Sequence, residues 1–259
     1  MQLSKLRLGL ALSLAALFSW GCGGGEPSTV AMKTPPPDAK RVDESVAGIV
    51  GGRVTYEGAV PENAPINLES DPACVRQNPN GLKLDTFLVN NGGLDNVFVY
   101  VKDGLGNYYF DAPATPVTLD QKGCNYSPHV FGVRTGQSLE IVNSDPTLHN
   151  VNAMAHVNQS FNLAQAIQGM KNAKVFTAPE VMVRIKCDVH SWMTAYAGVL
   201  SHPYFAVTAS GGTFELKNLP AGTYTIEAWH EKLGTQAQSV TLAAKETKNI
   251  SFSFKVTAP

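Results

Sequence analysis

Gly136-Gln137-Ser138-Leu139-Glu140-Ile141-Val142-Asn143-Ser144-Asp145-Pro146-Thr147-Leu148-His149-Asn150-Val151 and, further on, Val181-Met182-Val183-Arg184-Ile185-Lys186-Cys187-Asp188-Val189-His190-Ser191-Trp192-Met193 are the stretches on which the fold turns. Each begins as a strand. Ser138 to Asn143 and Val181 to Lys186 are short β-prone runs closed by turn residues. Each then delivers a side chain with metal-ligand chemistry: His149 after the polar turn Asn143-Ser144-Asp145-Pro146, and Cys187 directly after Lys186.

Cys187, His190 and Met193 fall at three-residue intervals, so one tight loop presents all three. His149 arrives from a separate loop at a strand end. One thiolate, two imidazoles and a weak axial thioether form the ligand set of a trigonal type-I copper centre. The spacing therefore predicts a single copper ion held by His149, Cys187, His190 and Met193. Trp192, inside the loop, reads as a cover that limits water and as a candidate electron route. Met154 and Met182 read as core.

Outward from these stretches the chain is a series of short strands separated by Gly, Pro and Asn turns. The expected strands are Gly48 to Tyr56, Leu84 to Val89, Val97 to Val101, Ser138 to Asn143, Val181 to Lys186 and Ala195 to Leu200. Gly212 to Leu216, Tyr224 to Trp229, Ser239 to Leu242 and Ile250 to Val256 complete the series. Only Asn162 to Met170 carries a helical spacing, with Leu163, Ala166, Ile167 and Met170 on one face, and a helical turn is expected there. This pattern predicts an all-β protein built as a sandwich.

The region from about Ser127 to Leu200 resembles the cupredoxins, through Gly136 … Val142-Asn143 … His149-Asn150-Val151 and the Cys187-x-x-His190 loop. The resemblance implies a Greek-key β-sandwich. It also implies that Asn150 hydrogen-bonds near Cys187 and ties the two ligand loops together, a supporting contact of the kind that orients metal ligands. The gap from His190 to Met193 is shorter than in plastocyanin- and amicyanin-like loops, which either brings Met193 closer to the ion or leaves it unbound. His190-Ser191-Trp192-Met193 is similar to the His-Ser-Phe-Met of the cytochrome oxidase subunit II copper site. That binuclear site uses two loop cysteines; here there is one, so the centre is expected to be mononuclear.

Gly212-Thr213-Phe214-Glu215-Leu216 … Leu219-Pro220-Ala221-Gly222-Thr223-Tyr224 resembles the carboxypeptidase regulatory-like (transthyretin-like) domain, a small β-sandwich. The expected division is residues 46–202 for the copper domain and 203–259 for the regulatory-like domain. Alternatively, residues 46–110 supply strands to the second sandwich, with the copper region inserted between its halves.

Residues 1–21 read as a secretory signal. Lys5 and Arg7 precede an apolar run from Leu8 to Phe18, too short to span a membrane comfortably. Gly21-Cys22 resembles a bacterial lipoprotein signal, which implies lipid on Cys22. Residues 22–45, rich in Gly and Pro, read as a flexible tether. The chain is thus expected to be exported, periplasmic or at the cell surface, and anchored to the outer membrane. Residues 1–21 hold two of the 20 basic residues and none of the 21 acidic ones, leaving a net charge of −3. With no basic block, nucleic acid is excluded as a partner.

In an oxidising compartment two of the three remaining cysteines are expected to pair. Pairing Cys74 with Cys124 leaves Cys187 as the odd thiol, which metal ligation accounts for. His129 is either structural or part of a second metal site, His156 is a solvated loop residue, and His202 and His230 are candidates to approach the site across a domain contact. The function expected is one-electron transfer to a redox partner protein, with no catalysis. Reducing nitrite or oxygen calls for a second copper site, and no His-x-His is present for one. Sequences of this kind are also similar to methylamine-utilisation-like copper proteins. Copper storage, sensing or delivery, and a non-catalytic surface-binding sandwich, are the alternatives.

Overall fold

The computed structural model describes residues 35–256. These residues form an all-β protein with four sheets and one short helix, Pro72–Gln77. Two sheets come from one continuous stretch. The first runs Phe161–Gln165, His149–Met154, Glu180–Lys186, Thr194–Leu200, Val130–Arg134; the second runs Lys171–Val175, Ser138–Asn143, Val117–Gln121, Tyr126–Ser127. The inward positions of both sheets meet in one core, where Leu119, Leu139, Ile141, Val151, Val183, Ile185 and Val199 are fully buried. Alternation along Ser138–Asn143 explains this, because every second residue is buried.

The other two sheets are assembled from both ends of the described chain. Gly48–Tyr56 lies between Thr213–Leu219, antiparallel to it, and Thr247–Phe254, parallel to it. The short strands Gly93–Leu94 and Val89–Asn90 extend that sheet. Phe98–Asp103 pairs with Gly222–His230 and with Phe205–Val207, and Gly234–Leu242 completes the fourth sheet. Val99 faces Ala228 across the ladder and Val101 faces Ile226. Val50, Val54, Val99, Leu216, Ile226 and Phe252 share a core with Phe214.

A third apolar cluster lies where strands of the two sandwiches meet. Phe98 and Phe205 stack at 5.6 Å, and Val130, Leu200, Tyr196 and Trp229 pack around them. The contact is close because Gly198 and Gly132, paired across neighbouring strands, have no side chains. A Cβ on Gly198 would stand 2.3 Å from the Phe98 ring, and one on Gly132 would stand 2.1 Å from the Phe205 ring.

Two sequence expectations fail here. Asn162 to Met170 is no helical turn: Phe161–Gln165 is an edge strand on His149–Met154, followed by a loop. Of the supposed apolar face, Ile167 is 70% and Met170 38% exposed, while the buried residue is Gln165. Its amide is satisfied by the Ile141 carbonyl, Asn172 and Gln121, contacts between distant strands that local periodicity cannot register. Leu84 to Val89 forms only the strand Val89–Asn90. The segment before it is held instead by Asn63, whose amide brackets the backbone of Phe87.

Candidate metal centre

The site is made by two strands that pair side by side. Lys186 stands opposite Asn152, so Cys187, the next residue, emerges level with Val151, beside Asn150. The following loop closes on itself: the Cys187 N–H donates to the Met193 carbonyl (3.1 Å), the Met193 N–H to the His190 carbonyl (2.9 Å), and the His190 N–H to the Cys187 sulfur (3.4 Å). Asn150 fastens that loop to the neighbouring strand. Its Oδ1 accepts the Asp188 N–H at 2.6 Å and faces Cys187 Sγ at 3.3 Å. On the other side, Asn143 shapes the turn before His149 by donating to the carbonyls of Thr147 and Gln165 and accepting from the Asp145 N–H.

Three side chains converge as a result. His149 Nδ1 and His190 Nδ1 are 3.0 Å apart, and Cys187 Sγ is 3.9 Å from His190 Nδ1. All three donor atoms lie within 4.8 Å of one another. His149, Cys187 and His190 are 0%, 2% and 1% exposed, and Met193 is fully buried in the same core cluster as Cys187. Trp192 covers the loop, with its ring 5.1 Å from that of His190 and its indole N–H donating to the Cys124 carbonyl.

Two carboxylates that the sequence reading missed stand behind the imidazoles. His149 Nε2 faces Asp145 Oδ2 at 2.9 Å, and His190 Nε2 faces Asp71 Oδ2 at 3.1 Å. Asp145 also accepts the backbone N–H groups of Gly123 and Cys124, both at 2.7 Å. Asp71 caps the helix Pro72–Gln77 through the Ala73 N–H and accepts the Thr147 hydroxyl, again at 2.7 Å. Cys74, on that helix, is disulfide-bonded to Cys124, with Cα atoms 5.6 Å apart, and its sulfur lies 3.6 Å from His190 Nε2. Asp71-Pro72 is a readable helix start. Nothing in the sequence says that this helix covers a histidine more than a hundred residues later.

The electrostatics follow from this packing. Burial pushes the Cys187 thiol up, yet hydrogen bonds from His149, His190 and the backbone of Asn150 and His190 bring it down to about 6. Burial works against the charged form of His149, but Asp145 and the Cys187 sulfur outweigh it and raise the imidazole to about 9. Burial also raises Asp71, and the bonds from Thr147, Ala73 and His190 carry it down to about 2. Asp145 is lowered by His149 and two backbone N–H groups against its burial.

This donor set fits copper. Ionised carboxylates only accept, so they hold a proton on each Nε2 and turn both Nδ1 atoms inward at the thiolate, where binding of an ion would release the Nδ1 proton of the cationic His149. Separations of 3.0 and 3.9 Å suit neighbouring ligands of one ion with bonds of about 2.0–2.3 Å. A soft thiolate with two imidazoles selects copper or zinc over hard cations.

The other histidines lie elsewhere. His129 bonds Glu231 at 2.6 Å and the Thr194 carbonyl at 2.9 Å. His156 is exposed. His202 stacks on Tyr204, and His230 packs between Phe87 and Phe254 while facing the Thr86 carbonyl. Met154 is exposed, and Met182 packs at the junction of the sandwiches. Cys22 and the signal segment fall outside the described residues.

No protein-family model matches the chain, and no curated protein matches it. Solved structures that resemble part of it include cupredoxins and a copper-containing nitrite reductase. A purple cupredoxin from Nitrosopumilus maritimus is 18% identical over 32% of this chain and 98% of its own, with a TM-score of 0.28. A methionine-to-alanine mutant of amicyanin in its Cu(I) form is 19% identical over 32% of this chain and 81% of its own, with a TM-score of 0.29. A copper-containing nitrite reductase from Thermus scotoductus SA-01 is 21% identical over 36% of this chain, with a TM-score of 0.32. The match spans about a quarter of the reductase, 24% of its length. These likenesses are of fold, over one part of the chain. The reductase corrects one expectation: the sequence reading excluded catalysis, yet an enzyme is among the structures that resemble part of this chain, so that exclusion does not stand.

Proposed function

We propose that the chain is a mononuclear copper protein that carries one electron at a time. The ion is held by His149 Nδ1, Cys187 Sγ and His190 Nδ1, with Met193 as the axial ligand and Asn150 and Trp192 supporting the loop. The observation that carries this reading is the convergence of two inward-facing imidazole nitrogens on a buried thiol of lowered pKa. Copper bound there supplies a one-electron couple. The chain's own part is to fix the donors in advance, keep water out and keep the thiol ionised. A preset frame of this kind limits rearrangement between the two oxidation states.

In this proposal the copper domain is an insertion, residues 117–200, within a regulatory-like sandwich built from residues 48–103 and 205–254. The pairing of Gly48–Tyr56 with Thr213–Leu219 and Thr247–Phe254 supports that division. The protein is exported, tethered through lipid on Cys22, and exchanges electrons with a redox partner protein.

The test is the visible spectrum and voltammetry of the copper-loaded protein. An intense thiolate-to-copper band and a reversible one-electron couple are expected, and both are lost in Cys187→Ser. A band that survives that substitution refutes the ligand assignment. Copper that leaves readily to a mild chelator, with no such band, favours delivery instead.

A further inference from the structure

Both imidazoles are gripped from behind by parts of the chain that have no other reason to be together. Asp145 belongs to the turn that precedes His149. Asp71 comes from the connection between Gly48–Tyr56 and Val89–Asn90, in the other sandwich. That connection crosses over to the metal loop and lays the helix Pro72–Gln77 against His190. The two carboxylates are coupled to each other. Thr147 hydrogen-bonds Asp71 from the turn that holds Asp145, and Asp145 holds the backbone of Cys124, which is bonded to Cys74 on the helix that Asp71 caps.

We infer that Asp71, Asp145 and the Cys74–Cys124 disulfide form one brace that fixes the direction of both ligand imidazoles and favours Cu(II) over Cu(I) at the site. This rests on the copper reading above. The physical argument has two parts that act in the same direction. A carboxylate accepting the Nε2 proton makes the imidazole a stronger donor and locks its tautomer. Two negative charges directly behind the ligands also stabilise the more positive ion, and burial weakens the solvent screening of that effect. Asp145, with a side chain 0% exposed, has the greater effect; Asp71, 18% exposed, the smaller.

A purely structural role for these aspartates predicts lost stability with an unchanged couple. The positioning role predicts a change in the couple itself. The experiment uses the full copper-loaded chain and compares the parent with Asp145→Asn, Asp71→Asn and Thr147→Val. In Asp145→Asn the ratio of Cu(II) to Cu(I) affinity is expected to fall at least tenfold, a rise in potential of about 59 mV for one electron. Asp71→Asn shifts it in the same direction by less. Thr147→Val, which only loosens Asp71, shifts it least. In the Zn(II)-loaded protein, proton NMR should show two slowly exchanging imidazole N–H signals, and each aspartate variant should lose one of them. If Asp145→Asn fails to fold, Asp71→Asn and its lost signal decide the matter. Folded variants that keep both the parent potential and both signals overturn the brace. A parent protein with no thiolate-to-copper band overturns the copper reading and is a separate outcome.

Discussion

The two sandwiches solve the same packing problem with different interiors. The one built from both ends of the described chain has a core of Val, Leu, Ile, Phe and Tyr, with a few buried polar groups such as Thr208 and Glu227. The continuous one buries Gln121, Asn143, Asp145, His149 and Gln165 completely, alongside its apolar core. Such groups are costly unless every donor and acceptor is satisfied. Here all of these groups except the Gln121 side-chain oxygen bond one another and the strand-end backbone, which turns one end of the sandwich into a rigid polar frame. The first interior stabilises; the second spends part of its stability on holding donor atoms in place.

That contrast can be broken experimentally, beginning where the two halves are stapled together. Cys74 lies in the connection from one sandwich and Cys124 in the other, so Cys74→Ala/Cys124→Ala removes a covalent tie across a loop of 50 residues. A loss of roughly 3–4 kcal/mol is expected in chemical denaturation. The single unfolding transition should separate into two, seen as different midpoints for Trp fluorescence and far-UV signal.

Acid should strike the other way, at the apolar sandwich. Burial lowers His230 to about 4, and burial with the nearby Arg134 charge lowers His202 to about 4. Because these histidines are neutral when folded, their contribution is complete above the unfolded value of about 6.5 and is lost as pH falls through 4. Each accounts for up to about 3 kcal/mol over that window. Denaturation of the metal-free chain at pH 7 and pH 4 should show the loss, and His230→Gln should flatten it by about half. An unchanged slope in that variant would mean that His230 takes up its proton at the same pH in the folded and unfolded states.

The smallest expected effect is at the seam. Gly198→Ala places a methyl group against the Phe98 ring, an overpacking cost of about 1–3 kcal/mol. Cross-linking or proteolysis should then report loosening between the sandwiches, with the thiolate band unchanged. A shifted band would show that the metal loop depends on the seam.

Much of this was legible in the sequence for a plain reason: alternation encodes a half-buried strand locally. Gly48–Tyr56 and Ser138–Asn143 have the bounds that their alternation predicts. The side chains that converge at the candidate site, His149, Cys187 and His190, were legible as types at a spacing. What stayed hidden is tertiary. Asp145 reads as a turn residue and Asp71 belongs to no predicted element; the contacts that matter for both are with chain that is distant or buried. Gly132 and Gly198 carry no local signal, because the Phe rings they admit come from other strands. Phe161–Gln165 was misread because its side chains follow a rule set by a neighbouring strand, not by its own period.

The parallel ladder between Gly48–Tyr56 and Thr247–Phe254 has a temporal consequence. The earliest strand of the described chain has its longest partner in the last one, nearly two hundred residues away. During synthesis, residues 117–200 can close their own sheets as soon as they emerge, since their pairings are internal. Gly48–Tyr56 must wait, edges open, until the C-terminal strand arrives, and loop-closure entropy makes that final pairing slow. The order of folding is thus written into the topology: the inserted sandwich closes first, and the surrounding one closes last.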